Sequence, residues 1–453
     1  MFIILCRMNI FLLFYKIIKN ILIFILKCPN TCAIIKDEFT IITKQKTAIT
    51  EGGAQMTNVQ AFQRHRIERA MEKHSVDVII ASVPQHIRYL TGFAALGPTY
   101  HAKTQNYAVY YPAENKTYII NSMSDAPTAF DDVPDGELVL YGPFRFVYPE
   151  QSTEYTRAFA EKTQKITASP ADSLIEVMRR IGTDGMRVAW DELRTPVTTW
   201  NKVAGAYPNT EFIPGLSLFE EARCVKHPHE IDLLERSCNI AEDALLAALE
   251  KTKIGDSEYD INLAYREEVA KRHGQTLFCT CTIDRRSSYS DTKCTRTQKV
   301  QDGSIIRFDY GATYDFYCSD LARTVMVGKT HPEIERQYAC IREGMEAAFA
   351  MMKPGVTAGE VFQTALEATQ KGFPQFARHH CGHGIGLMIN DIPGISPGSK
   401  QVLEEGMVFC IETPFYCLDK YGIQVEDMVA VTANGVRRLN HTPNDLIYIP
   451  ARI

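Results

Sequence analysis

Four carboxylates and one imidazole in the last third of the chain form a set that could bind metal ions. They are Asp309, Asp320, His383, Glu412 and Glu426. The first two lie in RFDYGATYDFYCSDLARTV, which is typical of two strands around a turn near residues 314–315. A hairpin about that midpoint places Asp309 directly opposite Asp320. Like charges in such a pair destabilise a sheet, whereas a shared cation would reverse the effect.

A second pair of strand patterns, MVFCIETPFY and YGIQVEDMVAVT, flanks the turn-like segment CLDKY. Pairing these strands about Asp419 sets Glu412 opposite Glu426. One acidic residue on a strand is ordinarily a solvated surface residue. Two hairpins that each present a facing carboxylate pair are instead typical of a metal site.

The fifth candidate, His383, lies within RHHCGHGIGLMIND. Gly382, Gly384 and Gly386 allow the backbone to pass close to a site. A glycine-flanked histidine alone could occupy any tight turn, but together with the carboxylates it predicts a ligand. This mostly hard donor set favours two divalent ions, namely Mn²⁺, Fe²⁺ or Co²⁺, with Zn²⁺ possible.

The elements that must position these residues fall into two parts. From about Met56 the sequence alternates strand and helix patterns, which predicts an α/β domain over residues 56–222. Residues 223–453 then repeat the order helix, helix, hairpin, which favours a pseudo-symmetric domain with one carboxylate hairpin in each half. The predicted class is α+β.

The amino-acid composition limits the kinds of molecule that the chain is expected to bind. The 453 residues are 45% hydrophobic and 23% charged, which is typical of globular proteins. The net charge of −5 gives no reason to expect a nucleic-acid partner. The 13 cysteines show neither zinc-finger spacing nor a disulfide framework, so reduced thiols and a cytoplasmic location are expected.

Residues 1–55 differ from the rest of the chain. MFIILCRMNIFLLFYKIIKNILIFILK is apolar, but charged and amide residues interrupt it before it reaches the length of a membrane span. Glu51, Gly52 and Gly53 have purine-rich codons that resemble a bacterial ribosome-binding site just before Met56. We therefore interpret residues 1–55 as a non-native or disordered extension and expect no membrane partner without them. An amphipathic membrane anchor is the alternative.

The motifs FDYGATYDFYCSDLARTV, HCGHGIGL, LEEGMVFCIETPFY and QVEDMVAVT resemble those of the pita-bread metallohydrolases. That family includes aminopeptidase P, prolidase, methionine aminopeptidase and creatinase. The resemblance implies a catalytic pita-bread domain, which is an antiparallel sheet flanked by helices, behind an amino-terminal creatinase-type domain. It also implies a homodimer. Glu412 would both bind metal and accept the proton of the nucleophile, and His379, or its neighbour His380, would face the substrate.

The resemblance fails at two places. The peptidases carry an active-site histidine seven residues after the metal-binding one, where this chain has Asn390. They carry another before the first aspartate, where this chain has a segment without histidine, so a creatinase activity is not expected. Arg285 and Arg286 in that region could bind a substrate carboxylate, although such a pair is often only a solvated loop.

Two activities remain open from the sequence. The first is a dinuclear metal-dependent hydrolase of the Xaa-Pro aminopeptidase or dipeptidase type, which cleaves a C–N amide bond of a short peptide. The second is action on a small molecule, as in ectoine-type hydrolases or dimethylsulfoniopropionate-type lyases. The commonest chemistry of the resembled family favours the first activity, which is the prediction. The missing histidines favour the second, and they predict that Asn390→His gains nothing on peptides. A non-catalytic binding module is a remote third, because all five ligands are present.

We predict that deletion of residues 1–55 leaves an active, metal-binding protein, because the domain patterns begin only after Met56. Activity and metal content of the truncated chain, compared with those of the full chain, measure this. A native protein that begins at Met1 and sediments with membranes would contradict it.

Overall fold

Alternating strands and helices of the first part of the chain build a seven-stranded sheet. The computed structural model describes residues 58–101, 103–133 and 136–453, so the predictions for residues 1–55 lie outside it. The strands are β1 (Val78–Ala81), β2 (Tyr107–Tyr111), β3 (Lys116–Ser122), β4 (Glu137–Tyr141), β5 (Ile166–Thr167), β6 (Arg187–Trp190) and β7 (Glu211–Pro214). They lie in the order β5-β4-β3-β2-β1-β6-β7, and only β1/β2 and β2/β3 are antiparallel.

Helices cover this sheet, which confirms the predicted α/β domain. They are α1 (residues 58–73), α2 (Pro84–Thr91), α3 (Gly97–Tyr100), α4 (Ala126–Asp132), α5 (Glu154–Lys162), α6 (Pro170–Ile181), α7 (Val197–Ala206) and α8 (Leu216–Arg223). Helix α6 illustrates how local sequence sets the two ends of a helix. Ser169 caps its start, Pro170 follows, and Gly182 ends it in the left-handed conformation. The sequence patterns had not assigned the elements between β3 and β6.

The second part of the chain forms a ten-stranded sheet with two helix pairs. The helices are α9 (Pro228–Lys251), α10 (Glu258–Lys271), α11 (Pro332–Met351) and α12 (Ala358–Gly372). The strands are β8 (Gln275–Ile283), β9 (Ile305–Tyr314), β10 (Tyr317–Cys318), β11 (Leu321–Val327), β12 (Gly382–Gly384), β13 (Asp391–Gly394), β14 (Val408–Glu412), β17 (Glu426–Thr432), β18 (Gly435–Arg438) and β19 (Ile447–Ile449). A separate ribbon pairs β15 (Phe415–Cys417) with β16 (Tyr421–Ile423).

The order of the strands confirms the predicted pseudo-symmetric arrangement. The main path runs β10-β9-β11-β17-β14-β12-β13, so that β11 and β17 join the two halves at the centre. The buried faces of α9 and α10 pack in one core cluster and those of α11 and α12 in another. Each half therefore has its own helical support behind its own hairpin.

The register of the first hairpin differs from the prediction. Asp315 and Phe316 both adopt positive φ, of 45° and 72°, and form the turn one residue later than expected. Asp309 therefore pairs with Ala322, not with Asp320. Asp320 lies two residues before Ala322 and so shares its face, as a diagonal neighbour of Asp309.

A glycine makes this register possible. Position 320 faces Gly311, where an added Cβ would lie 2.1 Å from the carbonyl oxygen of Ser319. In the second hairpin the prediction is confirmed, because Glu412 pairs directly with Glu426. Beyond that pair the chain continues into the β15/β16 ribbon, whose tip holds Asp419 at φ 66°.

A buried ion pair holds the centre of the sheet from its other side. Arg323 follows Ala322, and Asp427 follows Glu426, so both side chains point away from the predicted ligands. A guanidinium nitrogen of Arg323 lies 2.8 Å from Asp427, and another donates to the carbonyl oxygen of Glu426 at 2.9 Å. Both side chains are at most 2% exposed.

We predict that Arg323→Leu lowers the free energy of unfolding by about 3–5 kcal/mol, because Asp427 loses its buried cation and keeps only the partly exposed Arg438, 4.0 Å away. Urea denaturation measures this, and adding Asp427→Asn should recover part of the loss. The exposed Arg179, paired with Glu176 on α6, is the control, and Arg179→Ala should cost about 1 kcal/mol or less. Equal losses for the two arginines would contradict the assignment.

Candidate metal centre

The two hairpins bring the four predicted carboxylates to one face of the sheet. Asp309 lies in β9, Asp320 just before β11, Glu412 at the end of β14 and Glu426 at the start of β17. Asp320, Glu412 and Glu426 are buried, with relative exposures of 6%, 8% and 2%, and Asp309 is partly buried. The fold therefore brings Asp309 and Glu426, which are 117 positions apart in the sequence, into one acidic cluster.

Electrostatics within this cluster favour bound cations. Burial and the nearby charge of Asp320 raise the pKa of Asp309 to about 8. Burial, followed by the charges of Asp320 and Glu412, raises the pKa of Glu426 well above its usual value. Oδ1 of Asp320 and Oε1 of Glu426 are buried and make no hydrogen bond among the described residues. Divalent ions would satisfy these oxygens and offset the repulsion.

His383 has the orientation of a metal ligand. It lies in β12, where Nδ1 is 3.0 Å from the carbonyl oxygen of Gly384. In the neutral ring, donation from Nδ1 leaves Nε2 unprotonated, so a metal that displaces the second proton can bind there; such a backbone partner is common behind ligating histidines. Nε2 lies 3.5 Å from Oδ2 of Asp320. Burial lowers the pKa of His383, but the hydrogen bond and charge of Asp320 prevail and raise it to about 9 in the metal-free protein.

Two residues that the sequence patterns did not single out organise the carboxylates. The side-chain amide of Gln424 lies 3.2 Å from Asp309, 3.2 Å from Glu412 and 3.5 Å from Glu426. Arg307, fully buried, lies 3.6 Å from Asp309 and donates to the side chain of Gln424 at 2.7 Å. The guanidinium of Arg307 and the amide of Gln424 thus position the carboxylates around Asp309, and we call this part of the cluster its oxygen-rich side.

Strand periodicity could have found these residues. Arg307 stands two residues before Asp309, Gln424 two before Glu426, and Cys410 two before Glu412. Residues two apart on an extended strand point to the same face. Each ligand therefore identifies a neighbour that shares its surroundings.

The segment before His383 brings two further groups to Glu412. Nδ1 of His380 lies 3.3 Å from Glu412 and accepts the backbone N–H of Gly382 at 3.3 Å, which assigns the proton of the neutral ring to Nε2. Burial and the neighbouring Arg378 lower the pKa of His380 to about 4. Arg378 itself lies 4.0 Å from Glu412. The other candidate, His379, is exposed and contacts the ring of His380.

Comparison with known proteins identifies the family. Residues 232–433 match the model of metallopeptidase family M24, and residues 63–225 match the creatinase/prolidase N-terminal domain. The chain is 30% identical over 287 residues to the Xaa-Pro dipeptidase of Lactobacillus helveticus, a match that covers 62% of this chain and 78% of that protein. The chain belongs to metallopeptidase family M24. It is a metal-dependent peptide hydrolase.

Other matches extend over nearly the whole length of the similar protein. The Xaa-Pro dipeptidase of Pyrococcus furiosus is 26% identical over 386 residues, which cover 84% of this chain and 98% of that one. The structure of an Xaa-Pro dipeptidase from Bacillus anthracis superposes with a TM-score of 0.72 at 22% identity, covering 86% of this chain and all of that one. This likeness confirms the pita-bread fold with its creatinase-type domain.

Asn390, where the sequence departs from the peptidase pattern, has few contacts. Asn390 is exposed and makes no hydrogen bond to a described residue. Its neighbour Asp391 is buried in an ion pair with Arg223 of α8, and Lys226 lies 3.7 Å away. Asn390 itself is therefore free to contact a ligand.

The two loop arginines have different surroundings. Arg286 donates to the buried Glu258 at 3.0 Å and to the carbonyl oxygen of Lys293, so most of its donors are engaged. Arg285 is 58% exposed and pairs with Asp419 at 3.1 Å. Substrate binding by either arginine stays a prediction.

Two further findings concern the cysteines and the helices. Ten of the cysteines lie in the described part of the chain, and all are free thiols. No helix within the described ranges is long and apolar enough to cross a membrane.

We predict that Asp309→Ala and Glu426→Ala each weaken metal binding on the order of 10–100-fold or more, because each removes a ligand from a charged, buried cluster. Metal content after dialysis, measured by mass spectrometry, tests this. Asp419→Ala, an exposed carboxylate at the tip of the β15/β16 ribbon, is the control. Full activity of chelator-treated, metal-free protein would contradict the assignment.

Proposed function

We propose that this protein is an Xaa-Pro dipeptidase with two divalent ions bound by Asp309, Asp320, His383, Glu412 and Glu426. The observation that carries the proposal is the convergence of four carboxylates and an oriented imidazole on one face of the sheet. The Xaa-Pro dipeptidases that match nearly the full described chain support the substrate class.

In this proposal the chain's own groups handle the proton and the substrate. Ions bound at the cluster would lower the pKa of a water molecule and polarise the scissile carbonyl. Glu412 accepts the proton of that water and passes it toward the leaving nitrogen. His380, kept neutral, turns Nδ1 toward Glu412 and keeps Nε2–H as a donor for the substrate, in the role that the resemblance implied for His379 or His380. Gln424 fixes the orientation of Glu412.

Arg378 supplies a cation for the free carboxylate of a dipeptide. Its guanidinium lies 4.0 Å from Glu412 and 5.8 Å from the ring of Tyr416. Its Nε is buried and makes no hydrogen bond to a described residue. An unpaired buried donor is costly unless a ligand satisfies it, and a carboxylate is the best match for a guanidinium. A terminal carboxylate at this distance from Glu412 limits the substrate to a short peptide.

The donor set indicates which metal ions the centre would bind. We propose Mn²⁺, Fe²⁺ or Co²⁺ at the oxygen-rich side, with Zn²⁺ as a further candidate.

We also propose a cytoplasmic homodimer, in which the amino-terminal domain of one chain closes over the active-site mouth of its partner. Light scattering at micromolar concentration tests the dimer, and an active monomer would contradict it.

A substrate panel tests the function. Metal-reconstituted protein is incubated with Xaa-Pro dipeptides, longer Xaa-Pro peptides, a cyclic amidine and a sulfoniopropionate, and the products are followed by mass spectrometry. We expect cleavage of the dipeptides. Turnover of a non-peptide compound alone would favour the small-molecule activity, for which Asn390 and the histidine-free loop are the supporting observations.

We predict that Arg378→Met raises KM for an Xaa-Pro dipeptide by roughly 10- to 100-fold, since a hydrogen bond to a charged group contributes about 1.5–3 kcal/mol. An Xaa-Pro amide lacks the carboxylate, so its kcat/KM should change little in the same variant. Arg179→Met, which removes an exposed arginine of α6, is the matched control. Equal losses on the dipeptide and its amide would refute carboxylate binding.

Membership in a peptidase family reverses the expectation for Asn390→His drawn from the sequence. One oxyanion donor typically contributes a factor of roughly 10²–10³ to the rate. In the Asn390→His variant, an imidazole donor replaces the weaker amide donor. We therefore predict a gain of about tenfold in turnover of Xaa-Pro dipeptides, with Asn390→Gln as the control. A loss of the native activity without any gain on peptides would indicate that Asn390 recognises a different substrate.

A further inference from the structure

A thiol lies inside the proposed metal centre. Cys410 stands in β14 directly opposite His383 of β12, and it shares a strand face with Glu412. Its Sγ, Nε2 or Nδ1 of His383, and carboxylate oxygens of Asp320 and Glu426 all lie within 4.8 Å of one another. Cys410 is not among the five ligands predicted from the sequence.

Cys410 has no other partner to explain its position. It is fully buried, and its Sγ makes no hydrogen bond within the part of the chain that the structure describes. The Sγ atoms of Cys224 and Cys318, by contrast, each lie against a backbone carbonyl, at 3.0 and 3.7 Å. The Cys410 thiol instead faces the two carboxylates whose oxygens are unsatisfied, Asp320 and Glu426.

The donors around the thiol differ from those on the other side of the cluster. Nitrogen, sulfur and two oxygens form a four-donor set, which matches the number and types of ligand that zinc binds tetrahedrally. Asp309 lies on the side that Gln424 and Arg307 hold, where the donors are oxygens. Thiolates select zinc and other soft ions, whereas carboxylates suit Mn²⁺.

We propose that Cys410 is a sixth metal ligand, which completes a zinc- or cobalt-selective site with Asp320, His383 and Glu426. This inference rests on the proposed function, because it divides that metal centre into two unlike sites. The oxygen-rich site next to Asp309 keeps its preference for Mn²⁺. The native centre would then hold two different metals.

X-ray absorption of the full chain tests the ligand directly. Metal-free protein receives one equivalent of Zn²⁺, and the zinc edge is analysed for a sulfur neighbour at about 2.3 Å. We expect this neighbour in the wild type and its loss in Cys410→Ser and Cys410→Thr. Cys381→Ala, which removes another buried thiol two residues from His383, should retain it. Thermal melting and Mn²⁺ binding of the Cys410 variants verify that they fold.

Competition with a chelator gives a second measurement. Zinc affinity of the Cys410 variants should fall on the order of 10–100-fold or more, with Mn²⁺ affinity nearly unchanged. A wild-type zinc site with only nitrogen and oxygen neighbours overturns the inference and leaves the dipeptidase proposal intact. Failure of the wild type to bind any metal overturns both.

Discussion

Mutual repulsion among four carboxylates on one buried sheet face is the constraint on which the site depends. A sheet that places Glu412 directly opposite Glu426, with Asp309 and Asp320 on the diagonal, loses stability at every one of these contacts. The raised pKa values of Asp309 and Glu426 express that cost. The ionised form of the cluster requires compensating positive charge, which divalent ions would supply and hydrocarbon neighbours cannot.

The surroundings of the cluster reduce the repulsion without removing it. Arg307 provides one fully buried positive charge, and its guanidinium also binds the carbonyl oxygens of Ser287, Tyr289 and Ser290. The same side chain therefore holds the histidine-free loop against the site. On the opposite face, the pair of Arg323 and Asp427 fixes the join between the two halves of the sheet.

The amino-terminal part contributes by bracing the first hairpin. Arg88 of α2 lies 2.9 Å from Asp315 and 4.0 Å from the ring of Phe316, so it contacts both residues of the turn. Gln63 of α1 donates to Glu230 at 3.0 Å, and Tyr317 donates to the same carboxylate. These contacts fix the turn that sets the register of Asp309 and Asp320.

The sequence by itself indicated the five candidate ligands, an α/β part followed by a second part, and the repeated order of helices and hairpin, because ligand type and strand periodicity are local properties. It placed Glu412 opposite Glu426 correctly. Only the tertiary structure decided the register of the first hairpin, since positive φ at Asp315 and Phe316 moves the turn by one residue. It also decided the contacts around the ligands. Strand periodicity indicates that Arg307, Cys410 and Gln424 share strand faces with predicted ligands, but it does not give their distances to groups on other strands, and it does not bring His380 to Glu412. Those contacts leave no pattern in a single sequence, because they depend on how the two halves of the sheet are joined.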